Sequence, residues 1–387
     1  MQPLDGNDKK IIKRTRYSKD LTDIENIDHS ISVAATMLVL IGVIMVFSSS
    51  YFEASGSGGR PFFYYFQKQA VAAVMGFCAM FAVSYFRYQL FMRMTSIFYV
   101  AANALLVYVY FFTEGAKRWL TIPGTTFSFQ PSELAKVAIV MLLSAIIGTN
   151  RDILKKWGGF IYLSVIAVIP VALIALADLG TAIVAAVIGF GIIFVASPHI
   201  LRFILAGSIG AGGFAAYIMF GADFRPDRIT AWLDPFSYPR TIGYQIIQSL
   251  YAIGSGGFLG LGPGQSRQKM GFIPEAHNDI IFSVICEELG LFGGVIILIF
   301  FAIIIVRGIK VALNAVDAFG SMLASGIVLM IGFQAIVNVA VVTNSIPNTG
   351  VTLPFISYGG TSLTVTMFMV GVLLNISRQS KPKEDYL

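Results

Sequence analysis

Two carboxylates and an imidazole crowd into Glu275-Ala276-His277-Asn278-Asp279, directly ahead of an apolar run that begins at Ile280. A carboxylate at a water–lipid border is partly desolvated, which raises its basicity and suits it to accept a proton. The same position also suits a helix N-cap, whose oxygen accepts main-chain N–H groups. Both readings of Asp279 stand on the sequence. At about 100° per residue, Ser283, Cys286 and, less closely, Glu287 share its face, while Glu288 points away. Glu287 and Glu288 lie inside the apolar run, where a charge at mid-span costs a few kcal/mol. They must face other helices, either as structural hydrogen-bond acceptors or as part of a transport path.

Other segments carry chemistry of the opposite sign. Lys117 and Arg118 precede Trp119 and read either as interfacial anchors or as a cradle for an anionic phosphate head group. Lys269 lies ten residues before Asp279. The glycines of "GSGGFLGLGPGQ" (254–265) permit tight turns, or a close backbone approach to an anion. No Gly-Lys-Ser/Thr follows, so they form no P-loop. "QPSELAK" (130–136) has helix-start signals at Pro131, Ser132 and Glu133, and Glu133 can pair with Lys136. Asp178 in "ADLGT" reads as a helix cap. "TLPFISYGGTS" (352–362) offers Ser357 and Tyr358 before two packing glycines. His29, His199 and His277 are scattered, so neither zinc spacing nor a Ser-His-Asp triad can be argued.

The elements that position these residues are apolar helices. Of the 387 residues, 56% are hydrophobic and 12% charged, against about 25% charged in soluble domains. Such a chain is an all-α polytopic membrane protein. Windows of about 20 apolar residues place ten spans near 31–50, 67–86, 94–112, 134–149, 160–177, 180–198, 203–220, 280–306, 315–343 and 357–377. With the N-terminus inside, 17 of the 27 Lys and Arg fall on the cytoplasmic side, as the positive-inside rule expects. Both termini are then cytoplasmic, with tails at 1–30 and 379–387 around a 31–378 membrane domain. The large loop 221–279 joins the seventh and eighth helices on the outer face, where the other polar motifs also gather. Within it, Tyr244, Ile247, Leu250 and Tyr251 have the spacing of an amphipathic helix along the interface. Topology accounts for most of the +6 net charge, so no nucleic-acid partner is expected. Cys78 and Cys286 sit in apolar runs and make no disulfide framework.

Taken together, "GAKRWL", "FQPSELAK", "DLGT", the 243–294 block and "TGVTLPFISYGGTSL" resemble the SEDS family (shape, elongation, division and sporulation), whose members include FtsW, RodA and SpoVE. The match runs from residue 31 to about 378 and lies nearer the FtsW/SpoVE branch. Leu176-Ala177 replaces the family's usual Gln-Pro, and Asn278 a common Thr.

The resemblance implies a peptidoglycan glycosyltransferase of the bacterial plasma membrane. It would polymerise lipid II on the outer face with a class B penicillin-binding protein and other divisome or elongasome proteins. The family's essential aspartate matches Asp279, the expected general base. Lys117, Arg118 and Lys269 are expected to neutralise the pyrophosphate leaving group; Glu275, His277 and Ser357 are expected to contact substrate. A divalent cation could assist, although no ligand set is visible. A lipid II flippase and a non-catalytic scaffold for the penicillin-binding protein are the alternatives.

Overall fold

The computed structural model describes residues 27–56, 61, 63–113, 118–121, 128–208 and 226–380. Lys117, most of both tails and most of the expected seventh span lie outside these residues. The helices are α1 (His29–Gly56), α2 (Tyr64–Tyr85), α3 (Gln89–Phe112), α4 (Pro131–Thr149), α5 (Trp157–Ala175), α6 (Leu179–Ala196), α7 (Pro226–Leu233), α8 (Tyr244–Gly256), α9 (Ile281–Asn314), α10 (Ala318–Val342) and α11 (Gly360–Gln379). Among the described residues, nine are long and apolar enough to cross a membrane, all but α7 and α8. The chain is a multi-pass membrane protein. A two-residue antiparallel ladder, Leu120 opposite Phe129 and Thr121 opposite Ser128, is a small addition to the expected all-α architecture.

Local sequence explains where several helices begin. Pro131 occupies the first turn of α4 behind an extended Gln130, where its missing N–H is not needed. Asp178 caps α6 as its spacing predicts, accepting from Thr181 N at 3.3 Å and from Thr181 Oγ1 at 3.0 Å. Asp317 caps α10 through Gly320 N at 2.6 Å.

Side-chain contacts sort the helix ends into two layers. At one end, Asp28 N donates to Ser377 Oγ at 3.2 Å and Arg307 Nε donates to Asp28 Oδ2 at 2.7 Å, joining α1, α9 and α11. Arg378 reaches the Tyr85 carbonyl, Tyr88 reaches Asp317, and Arg202 reaches the Lys155 carbonyl. At the other end, Lys269 meets Ser48, Gln69 meets Ser357, and Trp232 exchanges two hydrogen bonds with Asn344. Asp28 and Ser377 share a layer. Arg202 and Trp232 lie in opposite layers.

Among the membrane-length helices, α4, α11 and α10 are the most enclosed. Lys136 on α4 is buried with its ammonium 2.8 Å from Glu133 Oε1, and the Gln334 side-chain oxygen on α10 takes a second bond at 2.7 Å. The pairing predicted from sequence is therefore formed, with a third member supplied by a distant helix. In α8 the buried face is Ile246, Ile247, Ser249 and Ala252, while Tyr251 is exposed. The helix exists, but its buried stripe is offset from the Tyr244–Tyr251 spacing because it packs against α9.

Candidate active site at the outer mouth

The backbone of α9 is broken at Gly290, whose φ of 69° and ψ of −172° are not helical. The glycine-rich segment after α8 fills the break. Leu261 N and Gly262 N donate to the Glu287 and Glu288 carbonyls at 2.9 and 3.0 Å, and Leu291 N and Phe292 N donate to the Gly257 and Phe258 carbonyls at 2.9 and 3.2 Å. A Cβ on Gly260 would meet the Glu288 carbonyl oxygen at 2.1 Å, and both Gly260 and Gly290 have positive φ. The close approach that these glycines permit is thus to α9, not to an anion.

The carboxylates of Glu287 and Glu288 pin the same segment. Both residues are 1% exposed. Glu288 accepts from Lys269 Nζ at 2.6 Å, Ser48 Oγ at 2.7 Å and Gly264 N at 2.8 Å. Glu287 accepts from Arg267 N at 3.0 Å, Gln268 N at 3.3 Å and the Ser266 hydroxyl. A buried carboxylate satisfied by several donors is structural. Lys269 belongs to this lock: its ammonium also donates to Ser48 Oγ at 2.8 Å and its side chain is buried. Its charge, expected opposite a pyrophosphate, is engaged here by Glu288.

Asp279 stands one residue outside α9, because the cap position falls on Ile280. It is half-buried. Asn338 Nδ2 on α10 donates to its carbonyl at 2.6 Å and to the Val351 carbonyl at 2.8 Å, tying the Asp279 turn to the 349–353 segment. Gly350 has φ 68°, and a Cβ there would lie 3.8 Å from Asp279 Oδ2. Thr349 in turn abuts Gly180, where a Cβ would meet the Thr349 carbonyl oxygen at 2.0 Å. Arg118 reaches this hairpin, donating from Nε to the Ala177 carbonyl at 2.9 Å with Nη1 3.4 Å from Asp178 Oδ2. Its side chain stays 45% exposed. Arg118 and Asp279 therefore border one outer mouth through Asp178, Gly180, Thr349 and Gly350. Asn338 Oδ1 and Thr349 Oγ1, also at this mouth, are buried without a hydrogen-bond partner among the described residues.

The remaining expected residues divide. His277 is buried, its ring 4.3 Å from that of Tyr65 and 5.2 Å from that of Tyr358, with Nδ1 3.4 Å from Glu53 Oε2. Tyr358 N donates to the His277 carbonyl at 2.9 Å. His277 thus wedges the turn before Asp279 against α1, α2 and the 353–359 segment. Glu275 is exposed at φ 49° and accepts from Asn278 Nδ2 at 2.8 Å. Ser357 is buried, and its Oγ accepts from Leu353 N at 2.8 Å. It closes the Pro354 turn rather than lining the mouth. Among the described residues no group of three or more His, Cys, Asp or Glu could hold a metal ion. The donor set among the described residues does not fit a protein-held cation. A groove of about 400 Å³ between α9 and α10, lined by residues such as Leu298, Phe301 and Ala335, is almost wholly apolar and excludes Asp279.

Sequence reasoning missed Asn338, Gly350 and Glu53. Asn338 did leave a signal: with Gln334 one turn earlier it makes a polar pair in an otherwise apolar span.

Fold and site define a multi-pass membrane protein, with nine membrane-length helices among the described residues and a polar mouth on one layer. The chain belongs to the FtsW/RodA/SpoVE family, described as cell cycle proteins, whose family model matches residues 28–382. It is 38% identical over 372 residues to the probable peptidoglycan glycosyltransferase FtsW of Geobacter metallireducens, covering 94% of this chain and 98% of that protein. Stage V sporulation protein E of Bacillus subtilis is 39% identical over 356 residues, covering 90% of this chain and 96% of that protein. A solved chain of a peptidoglycan synthase complex, described as coordinating polymerization and crosslinking, superposes with a TM-score of 0.74 at 27% identity, covering 92% of this chain and 98% of that one. The rod shape determining protein RodA of Thermus thermophilus shares the fold, with a TM-score of 0.64 at 24% identity over 92% of this chain and 98% of that one.

Proposed function

We propose that this chain is a peptidoglycan glycosyltransferase that polymerises lipid II at the outer face of the plasma membrane. The observation that carries the reading is Asp279. Its backbone is clamped by Asn338, and its carboxylate lies beside Gly350, which has no side chain to crowd it. Asp279 takes the proton of the acceptor sugar's 4-hydroxyl as that oxygen attacks the donor's anomeric carbon; such help supplies about 10²–10⁴-fold. The new glycosidic bond forms as the bond to pyrophosphate breaks, and the polyprenyl pyrophosphate leaves with the electron pair.

Pyrophosphate needs charge neutralisation more than a proton, so one carboxylate with nearby cations suffices where glycosidases use a carboxylate pair. Arg118 supplies a cation at the mouth, with Lys117 next to it in sequence. His277 and Glu275 shape the turn that presents Asp279. The partner is a class B penicillin-binding protein, which crosslinks the strand. This pairing is supported by the likeness to a complex that couples the two activities.

The transporter alternative drew on Glu287 and Glu288, and both are engaged by the glycine-rich segment. Purified protein in proteoliposomes containing lipid II separates the two readings. Glycan chains support the enzyme; head-group translocation without polymer contradicts it.

A further inference from the structure

The segment from Gly256 to Gly262 reads in sequence as part of a water-facing loop, yet its position along α9 puts it deeper. The Arg307–Asp28 pair marks the inner end of the bundle. From Arg307 back to Leu291, α9 rises about 24 Å at 1.5 Å per residue, less than the hydrocarbon thickness of about 30 Å. A second ruler agrees. Along α1, Ser48 lies about 30 Å above Asp28, and Ser48 donates to Glu288. The Glu287 and Glu288 carboxylates thus sit at the outer rim of the hydrocarbon, and Leu291 and Phe292 lie below it. The Gly257 and Phe258 carbonyls accept from Leu291 N and Phe292 N, so Phe258 and Leu259 share that depth.

What surrounds these side chains agrees with the depth. Phe258 is 78% exposed and Leu259 83%, and Leu291 and Phe292 beside them are exposed as well. No charged residue occurs between Arg240 and Arg267. Non-helical backbone tolerates lipid only where its polar groups are satisfied internally. Here Gly260 N donates to the Gly256 carbonyl at 2.8 Å, while Leu261 N, Gly262 N and the Gly257 and Phe258 carbonyls are all paired with α9 across the Gly290 break. The break that would weaken a lone helix is what pairs four of the loop's backbone groups.

We infer that residues 256–262 form a re-entrant wedge whose Phe258–Leu259 tip is inserted among the acyl chains of the outer-leaflet phospholipids. The wedge fixes the height of the segment running from Ser266 to Asp279, because Glu287 and Glu288 tie that segment to the same turn of α9. The inference concerns depth alone and stands whether or not the chain is a glycosyltransferase.

The test uses the full chain in phosphatidylethanolamine/phosphatidylglycerol vesicles. A nitroxide is placed at Leu259→Cys in a Cys78→Ser/Cys286→Ala background, and its collisions with oxygen and with a water-soluble nickel complex are compared. Reference labels are Leu298→Cys, lower on α9, and Arg240→Cys, on an exposed charged position. The wedge predicts an oxygen-to-nickel ratio at 259 well above that at 240 and below that at 298, which lies about 10 Å deeper. A ratio matching 240 overturns it, as does a label shielded from both reagents, which would mean protein cover. Phe258→Trp, made with the native cysteines in place, provides a second reading. Lipids brominated on the acyl chain should quench the added fluorescence at least twofold more than aqueous iodide does; the reverse order overturns the inference.

Discussion

Asn338 holds Asp279 by its main chain, its amide bridging the Asp279 and Val351 carbonyls at 2.6 and 2.8 Å. A residue on α10 thereby fixes the height and direction of a carboxylate that belongs to the turn before α9. Asn338→Leu removes both donors and leaves two carbonyls to find other partners, each worth about 1–3 kcal/mol if buried and unpaired. Polymerisation by the variant should lose about tenfold in kcat, equivalent to about 1.4 kcal/mol of barrier, with KM little changed. Initial rates over a range of lipid II concentrations read that split. A rise in KM alone would assign Asn338 to substrate binding.

The Lys269–Glu288 pair, buried and 2.6 Å apart, holds the glycine-rich segment to α9. Removing one partner leaves an uncompensated buried charge, at a cost of about 3–5 kcal/mol. Lys269→Met should therefore lower the thermal midpoint in detergent sharply, and Lys269→Met/Glu288→Gln should recover much of the loss. If Lys269 instead served the leaving group, Lys269→Met would abolish activity at an unchanged midpoint.

Gly290 has positive φ, and a Cβ there would lie 2.4 Å from Gly260 N and from the Phe258 carbonyl oxygen. Gly290→Ala should separate the segment from α9. Hydrogen exchange at Leu261, Gly262, Leu291 and Phe292 should then accelerate by at least about tenfold, or about 1.4 kcal/mol of local stability. Exchange in the remainder of α9 should stay slow.

Arg118 is tied to the α5–α6 hairpin yet remains half-exposed at the mouth. Arg118→Ala should raise KM for lipid II about tenfold, as expected for loss of a charge-assisted contact worth about 1.5–3 kcal/mol. Asp178→Asn keeps a competent cap oxygen for α6, so its thermal midpoint should stay near that of wild type.

Hydropathy made nine of the membrane spans legible, and short-range spacing revealed the Asp178 cap and the Glu133–Lys136 pair. What stayed hidden depends on contacts far apart in sequence. Lys269 looked like a substrate cation because its partners, Ser48 and Glu288, belong to other elements. The α9 break was invisible because Gly290 interrupts neither the apolar run nor its helical period; it is fixed by the backbone of residues 257–262. Ser357 drew attention as a hydroxyl near a glycine pair, but the Pro354 turn takes its oxygen for Leu353 N. Asp279 stood out as a candidate by type and position, whereas its clamp did not, since Asn338 lies a whole span away.

The most direct measurement is lipid II polymerisation by purified Asp279→Asn, alone and with the proposed class B penicillin-binding protein, after size-exclusion and thermal profiles establish that it is folded. The substitution keeps the shape of the side chain and removes its basicity. The account predicts a rate lower by about 10²–10⁴-fold, the usual contribution of a general base, with lipid II still bound. Glycan strands made at the wild-type rate would contradict it.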